Sequence, residues 1–271
     1  MRAKYPLCLI LLCSFSWSLS AQEEKINAQA NRVVEISFQA EKSRSNPFLE
    51  IEVDVVFTDP QGTQKTVPAF WAGGERWKVR YASPILGRHT YRTQCSDTED
   101  KGLHGIEGLV KVIPYYGENE LYRHGPIQVG PSQRHFEHAD GTPFLWLGDT
   151  WWKGLCERLT WEGFQELTAD RKEKGFNVVQ IVCGTYPDEL GILQPSWENE
   201  AGMPYLDTEF SVMNPEYFEY ADRRFEHLIN AGIVPAIVGG WGRAVELRSV
   251  GIDGYKRHIR NLIARYGAYP V

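Results

Sequence analysis

The stretch Phe144-Leu145-Trp146-Leu147-Gly148-Asp149-Thr150-Trp151-Trp152 joins an apolar run to a carboxylate and two adjacent indoles. A short apolar run that ends at a glycine predicts a buried strand, and α/β barrels place polar and aromatic side chains where such strands end. We therefore expect Asp149, Trp151 and Trp152 to line the mouth of a site. The alternative is that the indoles pack in a core and that Asp149 caps a helix.

Downstream of this stretch, apolar residues recur with helical spacing in three segments, and each segment stops at a glycine. A glycine there accepts the left-handed conformation that ends a helix. An apolar run follows each helix, so the order predicts a parallel sheet with crossover helices. The predicted helices span 161–174, 215–231 and 255–266, and the predicted strands span 144–148, 176–182, 233–238 and 268–271. Thr160 and Asn214 are the expected N-caps of the first two helices. Asp140-Gly141 between apolar runs predicts a hairpin of 135–137 and 144–146.

The spacing of these strands predicts an incomplete barrel. They begin roughly 30 to 55 residues apart, so eight strand and helix units need a few hundred residues, of which about half are present. We therefore expect residues 135–271 to form the first half of a (β/α)8 TIM barrel that stops in its fourth strand. The alternative is a complete doubly wound sheet of three or four strands.

Residues 26–115 follow a different pattern, in which apolar and polar side chains alternate. In the segment 49–57, apolar residues at every second position oppose Glu50, Glu52 and Asp54. Period-two alternation interrupted by turn signals predicts an antiparallel β-sandwich. The fold class is thus mainly β sandwich followed by α/β, with residues 116–134 as a turn-rich linker.

The amino-terminal segment and the composition limit which classes of protein are possible. Residues 1–21 have the charged, apolar and small-residue order of a secretory signal peptide, so we expect a secreted or periplasmic protein, with attachment to the cell surface left open. No later segment is apolar enough to span a membrane.

The three cysteines outside residues 1–21 form no disulfide framework or zinc motif. A net charge of -6 without long basic runs argues against nucleic acid as a partner.

The segments after the predicted strands carry similar residue types. Tyr186 and Asp188 follow the second strand, and Trp241 and Arg243 follow the third. Flat aromatic rings suit the faces of a sugar ring, and charged groups suit its hydroxyls. Together with the residues at the first strand end, these residues predict a carbohydrate site. The alternatives are a site for another kind of small molecule, or a barrel end that is packed and binds no ligand.

Glycoside hydrolysis needs two carboxyl groups that flank the bond to be cleaved. Asp149, Asp188 and Glu189 are the carboxylates at the predicted strand ends, and each either takes part in catalysis or holds a hydroxyl or an arginine. The first strand lacks His-x-His, and no glycine-rich phosphate loop is present, so we expect neither a metal nor a cofactor.

Several runs in residues 135–271 resemble the apiosidase-like glycoside hydrolases, of the glycoside hydrolase family 140 type. These runs are 140–152, 170–177, 214–218 and 264–271. The strands before them, notably 67–71 and 77–81, resemble the immunoglobulin-like domain that often precedes such barrels in secreted bacterial enzymes that degrade polysaccharides.

The resemblance implies a (β/α)8 barrel and a retaining mechanism with two carboxylates, one at the end of the fourth strand and one near the seventh. Both positions lie beyond Val271, so no catalytic residue is assigned, and we expect an inactive amino-terminal fragment of an enzyme that acts on a plant-type polysaccharide or its side chains. A non-catalytic carbohydrate-binding or surface protein is the alternative. The resemblance implies a sugar-binding role for Asp149, Trp151, Trp152, Tyr186, Asp188 and Trp241.

Overall fold

The computed structural model describes residues 25–184, 186, 193–241 and 244–271. The predicted signal peptide and three residues of the predicted site, Asp188, Glu189 and Arg243, lie outside these described residues. The strands are β1 (Lys25–Gln29), β2 (Val34–Gln39), β3 (Val53–Thr58), β4 (Gln64–Pro68), β5 (Phe70–Trp71), β6 (Arg76–Tyr81), β7 (Gly87–Cys95), β8 (Glu107–Ile113), β9 (Ile127–Val129), β10 (Phe136–His138), β11 (Pro143–Phe144), β12 (Gly148–Trp151), β13 (Val178–Val182) and β14 (Val234–Val238). The helices are α1 (Pro47–Glu50), α2 (Glu120–Arg123), α3 (Trp161–Glu173), α4 (Pro215–Asn230) and α5 (Ala244–Tyr266), with a 3-10 turn at Pro195–Trp197.

The amino-terminal strands form two sheets around one core. One sheet has the order β1-β8-β7-β3-β4, and the other has the order β2-β6-β5. Alternation in β3 turns Val53, Val55 and Phe57 inward, where all three are fully buried. Phe57 stacks on Tyr81 of the other sheet with ring centroids 3.8 Å apart. This packing is the predicted sandwich, except that β1 pairs with β8 in parallel rather than antiparallel.

The predicted strand 49–57 begins later than expected. Leu49 lies in α1, because the Asn46 side chain accepts a hydrogen bond from the Leu49 N–H at 3.3 Å and Pro47 occupies the first helical position. The period-two pattern therefore starts to form a strand only at Val53. The strand predicted at 67–71 is divided between β4 and β5 in the structure, and β1, at a sheet edge, was not predicted.

A small antiparallel sheet of order β11-β10-β9 follows the sandwich. The predicted hairpin is confirmed: β10 pairs with β11, and Gly141 in its turn has a φ of 86°. The segment 116–134, predicted as a linker, contains α2 and β9 and is therefore ordered.

The strands β12, β13 and β14 form a parallel sheet, and a helix follows each of them, as predicted. Thr160 caps α3, and its side-chain oxygen accepts a hydrogen bond from the Gly163 N–H at 3.2 Å. The predicted glycine after α3, Gly175, has a φ of 81°, and Gly232 after α4 has the same value. The helix α5 contains a break at Gly251, whose φ is 73°. No helix in the described ranges is both long and apolar enough to cross a bilayer.

Two predicted strands of this sheet are wrong in their limits. Leu145, Trp146 and Leu147 are exposed and join no strand, because the Asn177 side chain hydrogen-bonds the backbone of Leu145 and Leu147 in place of a neighbouring strand. Residues 268–271 form a turn with no strand partner among the described residues. The structure is a mixed, β-rich fold in which β12, β13 and β14 form a parallel sheet of three strands.

Buried charges join the sandwich to the helices of the parallel sheet. Asp222 of α4 lies 2.6 Å from Arg80 of β6 and 3.1 Å from Arg265 of α5. The Arg265 guanidinium also donates to the Trp71 carbonyl at 3.2 Å. Burial would lower the pKa of Arg80, but the neighbouring Asp222 carboxylate raises it well above its ordinary value. The guanidinium therefore remains charged inside this contact.

Candidate functional site

The carboxyl ends of the three parallel strands meet at one edge of the sheet. The register pairs Trp151 with Ile181 and Val182 with Val238, so the segments after these residues leave the sheet side by side. Trp152 is the first residue after β12, and Trp241 is the third residue after β14. Their indoles stack with centroids 5.5 Å apart and an interplanar angle of 29°, and Trp152 is 47% exposed. We call these two side chains the indole pair.

Asp149 and Trp151 point to the opposite face of β12 from Thr150, because successive side chains of a strand alternate. Trp151 is only 6% exposed and packs edge-on against Phe164 of α3, with centroids 5.1 Å apart. Trp151 thus packs mostly in the core, which is the alternative given above for the indoles, although it also lines the pocket along β12, and its role in sugar binding stays a prediction. The strand begins at Gly148 rather than Phe144, which places Trp151 within it and turns its side chain towards the helices.

Asp149 has a full set of partners within the protein. Its Oδ2 accepts hydrogen bonds from Arg171 Nε at 2.5 Å and from Trp151 Nε1 at 3.1 Å. Burial would raise the pKa of Asp149, but these bonds and that from the Thr150 N–H outweigh it and lower the pKa below its usual range. The carboxylate is thus ionised at neutral pH, which does not suit a catalytic acid. Its predicted role in binding substrate stays a prediction.

An open pocket of about 410 Å³ runs along β12 next to these groups. Asp149, Trp152 and Arg171 contribute to its walls. Within the described ranges β12 pairs only with β13, so this pocket follows the free edge of the sheet. The pocket therefore adjoins the indole pair at Trp152, while Trp241 on the other side of that pair does not line it.

Tyr186 lies beneath the strand ends and is fully buried. Its hydroxyl oxygen is 3.2 Å from that of Tyr217, and the Lys153 ammonium lies 4.4 Å from the centre of its ring. Burial raises the pKa of Tyr186 well above its ordinary value, so the phenol is protonated. Because no part of the side chain reaches the surface, a ligand would meet its neighbours rather than Tyr186 itself.

Two buried residues that sequence reasoning missed support the strand ends. Arg224 of α4 donates to the carbonyl oxygens of Gly154 at 2.6 Å and Leu159 at 2.7 Å, and so holds the segment after β12. His258 of α5 contacts the segment after β14, with its Nε2 2.7 Å from the Gly239 carbonyl oxygen. Neither belongs to a recognisable motif, and an arginine in a helix is ordinarily predicted to be exposed.

Comparison with known families identifies the carboxy-terminal part of the chain. Residues 131–271 match the family described as apiosidase-like, catalytic domain, and residues 27–96 match a domain of unknown function, DUF5060. The first match covers just over half of the chain, so this chain belongs to the apiosidase-like family, and the resemblance seen in its motifs is confirmed. A comparison with curated proteins found no match.

A solved structure shares the fold. A protein from Bacteroides vulgatus assigned as a glycoside hydrolase matches 90% of this chain and 48% of its own, with a TM-score of 0.68 and 22% identity. The chain thus spans about half the length of that structure. A glycoside hydrolase family 5 protein from Bacteroides vulgatus matches 55% of this chain and 32% of its own, with a TM-score of 0.46 and 24% identity.

Proposed function

We propose that this chain is the amino-terminal part of an exported, retaining glycoside hydrolase that binds its glycan across the indole pair. The observation that carries the proposal is the stacking of Trp152 on Trp241 at the carboxyl ends of parallel strands, in a chain of the apiosidase-like family. Indole faces are large, rigid and apolar, and they match the C–H faces of a sugar ring. The strand ends are where α/β folds bind their ligands.

We further propose that β12, β13 and β14 are the first three strands of a (β/α)8 barrel. Support comes from the helices, because Phe164 of α3, Phe225 of α4 and Leu262 of α5 belong to one core on the same side of the sheet as Val179. A doubly wound sheet distributes its helices over both faces, whereas a barrel keeps them all outside. One-sided packing therefore favours the barrel.

In the proposed reaction, one carboxyl group acts as nucleophile and a second as acid and then base, about 5 to 5.5 Å apart. We assign neither role to a described residue, and the ionised, fully bonded Asp149 is a poor candidate for the acid. The residues of this chain would instead orient the glycan. The proposed substrate is a plant-type polysaccharide or its side chains, and export would follow from the signal-like segment 1–21.

The test replaces each member of the indole pair and a matched tryptophan elsewhere. Trp146 is 46% exposed, close to the 47% of Trp152, and lies before β12 rather than after it. Binding to pectin, xylan and arabinan is measured by affinity electrophoresis for Trp152→Ala, Trp241→Ala and Trp146→Ala. We expect about tenfold weaker binding for the first two, equivalent to about 1.4 kcal/mol, and unchanged binding for the third.

Two results would count against this proposal. Equal binding by all three variants would show that the indole pair does not bind the glycan. If the unaltered protein bound none of the three polysaccharides, a glycan of this kind would not be its ligand. Release of reducing sugar by the parent protein, which would carry the remaining strands and both carboxyl groups, distinguishes a hydrolase from the alternative of a non-catalytic carbohydrate-binding protein, which binds without cleavage.

A further inference from the structure

His258 is a fully buried histidine with a partner on each ring nitrogen. Its Nε2 lies 2.7 Å from the Gly239 carbonyl oxygen, and its Nδ1 lies 2.8 Å from the Tyr205 hydroxyl oxygen. A carbonyl oxygen can only accept, so Nε2 carries the proton and donates it to Gly239. In the neutral ring Nδ1 must then accept, and Tyr205 donates. One arrangement of protons satisfies all three groups.

The surroundings keep this arrangement constant near neutral pH. Burial lowers the pKa of His258 to about 4, although hydrogen bonding to the backbone of Gly239 and Cys183 acts in the opposite direction. Burial also raises the pKa of Tyr205 well above its ordinary value, so its hydroxyl keeps the proton that it donates. Tyr205 is itself fixed by stacking on Phe210, with ring centroids 4.2 Å apart.

The His258 ring lies against the ends of two neighbouring strands. A Cβ on Gly184, which follows β13, would lie 2.4 Å from atoms of the His258 ring. A Cβ on Gly239, which follows β14, would lie 2.7 Å from Leu262 Cδ1 of the same helix. The backbone at both strand ends therefore passes close to α5. Glycine is needed at Gly184, where a Cβ would overlap the buried His258 ring, whereas at Gly239 a Cβ would meet only the ends of flexible side chains such as Leu262.

We propose that His258 is a positioning residue for the glycan surface: its hydrogen bond to Gly239 holds the segment that carries Trp241 at stacking distance from Trp152. Trp241 follows Gly239 by two residues, so a shift of that carbonyl moves the indole with it. The consequence for glycan binding rests on the proposed function. The consequence for the indole pair does not, and it can be measured without any glycan.

Stacked indoles couple their electronic transitions and give a pair of circular-dichroism bands of opposite sign. The difference spectra between the protein and its Trp152→Phe and Trp241→Phe variants isolate this couplet from the other tryptophans. The test variants are His258→Gln, whose amide N–H reaches about as far as Nε2, and His258→Asn, which is too short to reach Gly239. His227→Gln is the matched control, because His227 is a partly buried histidine in the last turn of α4 rather than in α5.

We expect His258→Asn to lose most of the couplet, His258→Gln to keep most of it, and His227→Gln to match the unaltered protein. A full couplet in a cooperatively folded His258→Asn variant would overturn the proposal, as would the absence of a couplet in the unaltered protein. If His258→Asn does not fold, His258→Leu takes its place. That variant keeps an apolar side chain in the buried position but has no donor for the Gly239 carbonyl, and an unchanged couplet in it would overturn the proposal.

Glycan affinity of the same variants separates the two proposals. If the couplet depends on His258 and no variant binds glycan, the positioning role stands and the proposed function fails. If the unaltered protein binds glycan and His258→Asn binds equally well despite a lost couplet, the indole pair does not serve binding, and the role of His258 at that surface is overturned.

Discussion

The core between the two sheets of the sandwich and the helix side of the parallel sheet are stabilised differently. The first is lined mainly by apolar residues such as Val55 and Phe57, although His89 and Thr93 of β7 are also fully buried there. Around the second, Arg224, Arg265 and His258 are fully buried. Removing a charged group from water costs several kcal/mol, so such residues are retained only where their hydrogen bonds are well formed.

The two regions therefore differ in what determines their structure. Apolar burial in the sandwich is non-directional and tolerates modest changes of shape. The buried polar groups beside the parallel sheet each bind named backbone atoms, such as the carbonyl oxygens of Gly154 and Gly239. We infer that the sandwich is robust to substitution and that the strand-end region depends on individual contacts.

The largest effect should follow from breaking the contact that joins the two regions. Asp222→Asn leaves the guanidinium groups of Arg80 and Arg265 buried without their shared carboxylate. We expect a loss of about 3 to 5 kcal/mol in the free energy of unfolding, measured by urea denaturation. Asp253→Asn is the control, since that side chain is 87% exposed on α5. Equal losses in the two variants would show that the buried carboxylate stabilises the folded protein no more than an exposed one does.

A second comparison uses two glycines of like backbone conformation, one from each region. Gly184 has a φ of 116°, and an added Cβ would collide with His258, whereas Gly62 in the sandwich has a φ of 85° and nothing within 4 Å. We expect Gly184→Ala to cost roughly 2 to 4 kcal/mol, from strain and overpacking together, and Gly62→Ala about 1 kcal/mol from strain alone. Thermal and urea unfolding measure both, and indistinguishable values would refute the dependence on a particular contact.

The same contrast explains how much of the fold could be predicted from sequence. The alternation in β3 and the caps Thr160 and Asn214 are local signals, and they located strands and helices to within a few residues. The hairpin around Gly141 was predicted for the same reason. Local chemistry decides these features, so a single sequence suffices for them.

The site was predicted less completely, because it depends on strand limits and distant contacts. Four residues separate the expected start of the first parallel strand at Phe144 from its observed start at Gly148. That shift moved Trp151 from a loop into the strand, and the alternation then turned it to the core. His258 and Arg224 bind backbone atoms 19 and 70 residues away, and no local sequence pattern predicts such hydrogen bonds.

A smaller effect tests whether Asp149 belongs with the buried polar groups. Asp149→Asn removes the charge that accepts from Arg171 and should cost about 1 kcal/mol at pH 7, since the pair is partly exposed to solvent. The pKa of Asp149 is lowered by folding, so its contribution is complete above the unfolded pKa of about 4 and is lost as the pH falls through the lower folded value. The difference in unfolding free energy between the two proteins should therefore shrink below about pH 4. A difference that stays constant down to pH 3 would contradict the assignment.

The smallest effect compares two cations on one strand that share one carboxylate. Lys78 Nζ lies 2.7 Å from Glu35 Oε1 and Arg80 Nε lies 2.9 Å from Glu35 Oε2, but the Lys78 side chain is 25% exposed and that of Arg80 only 5%. Lys78→Ala should cost at most about 0.5 kcal/mol, and the cost should vanish in 1 M salt, where screening acts within about 3 Å. Arg80→Ala should cost several times more and be insensitive to salt, because it also deprives Asp222 of a buried partner. If urea denaturation gave both variants the same cost and the same response to salt, burial would not be what separates the two regions.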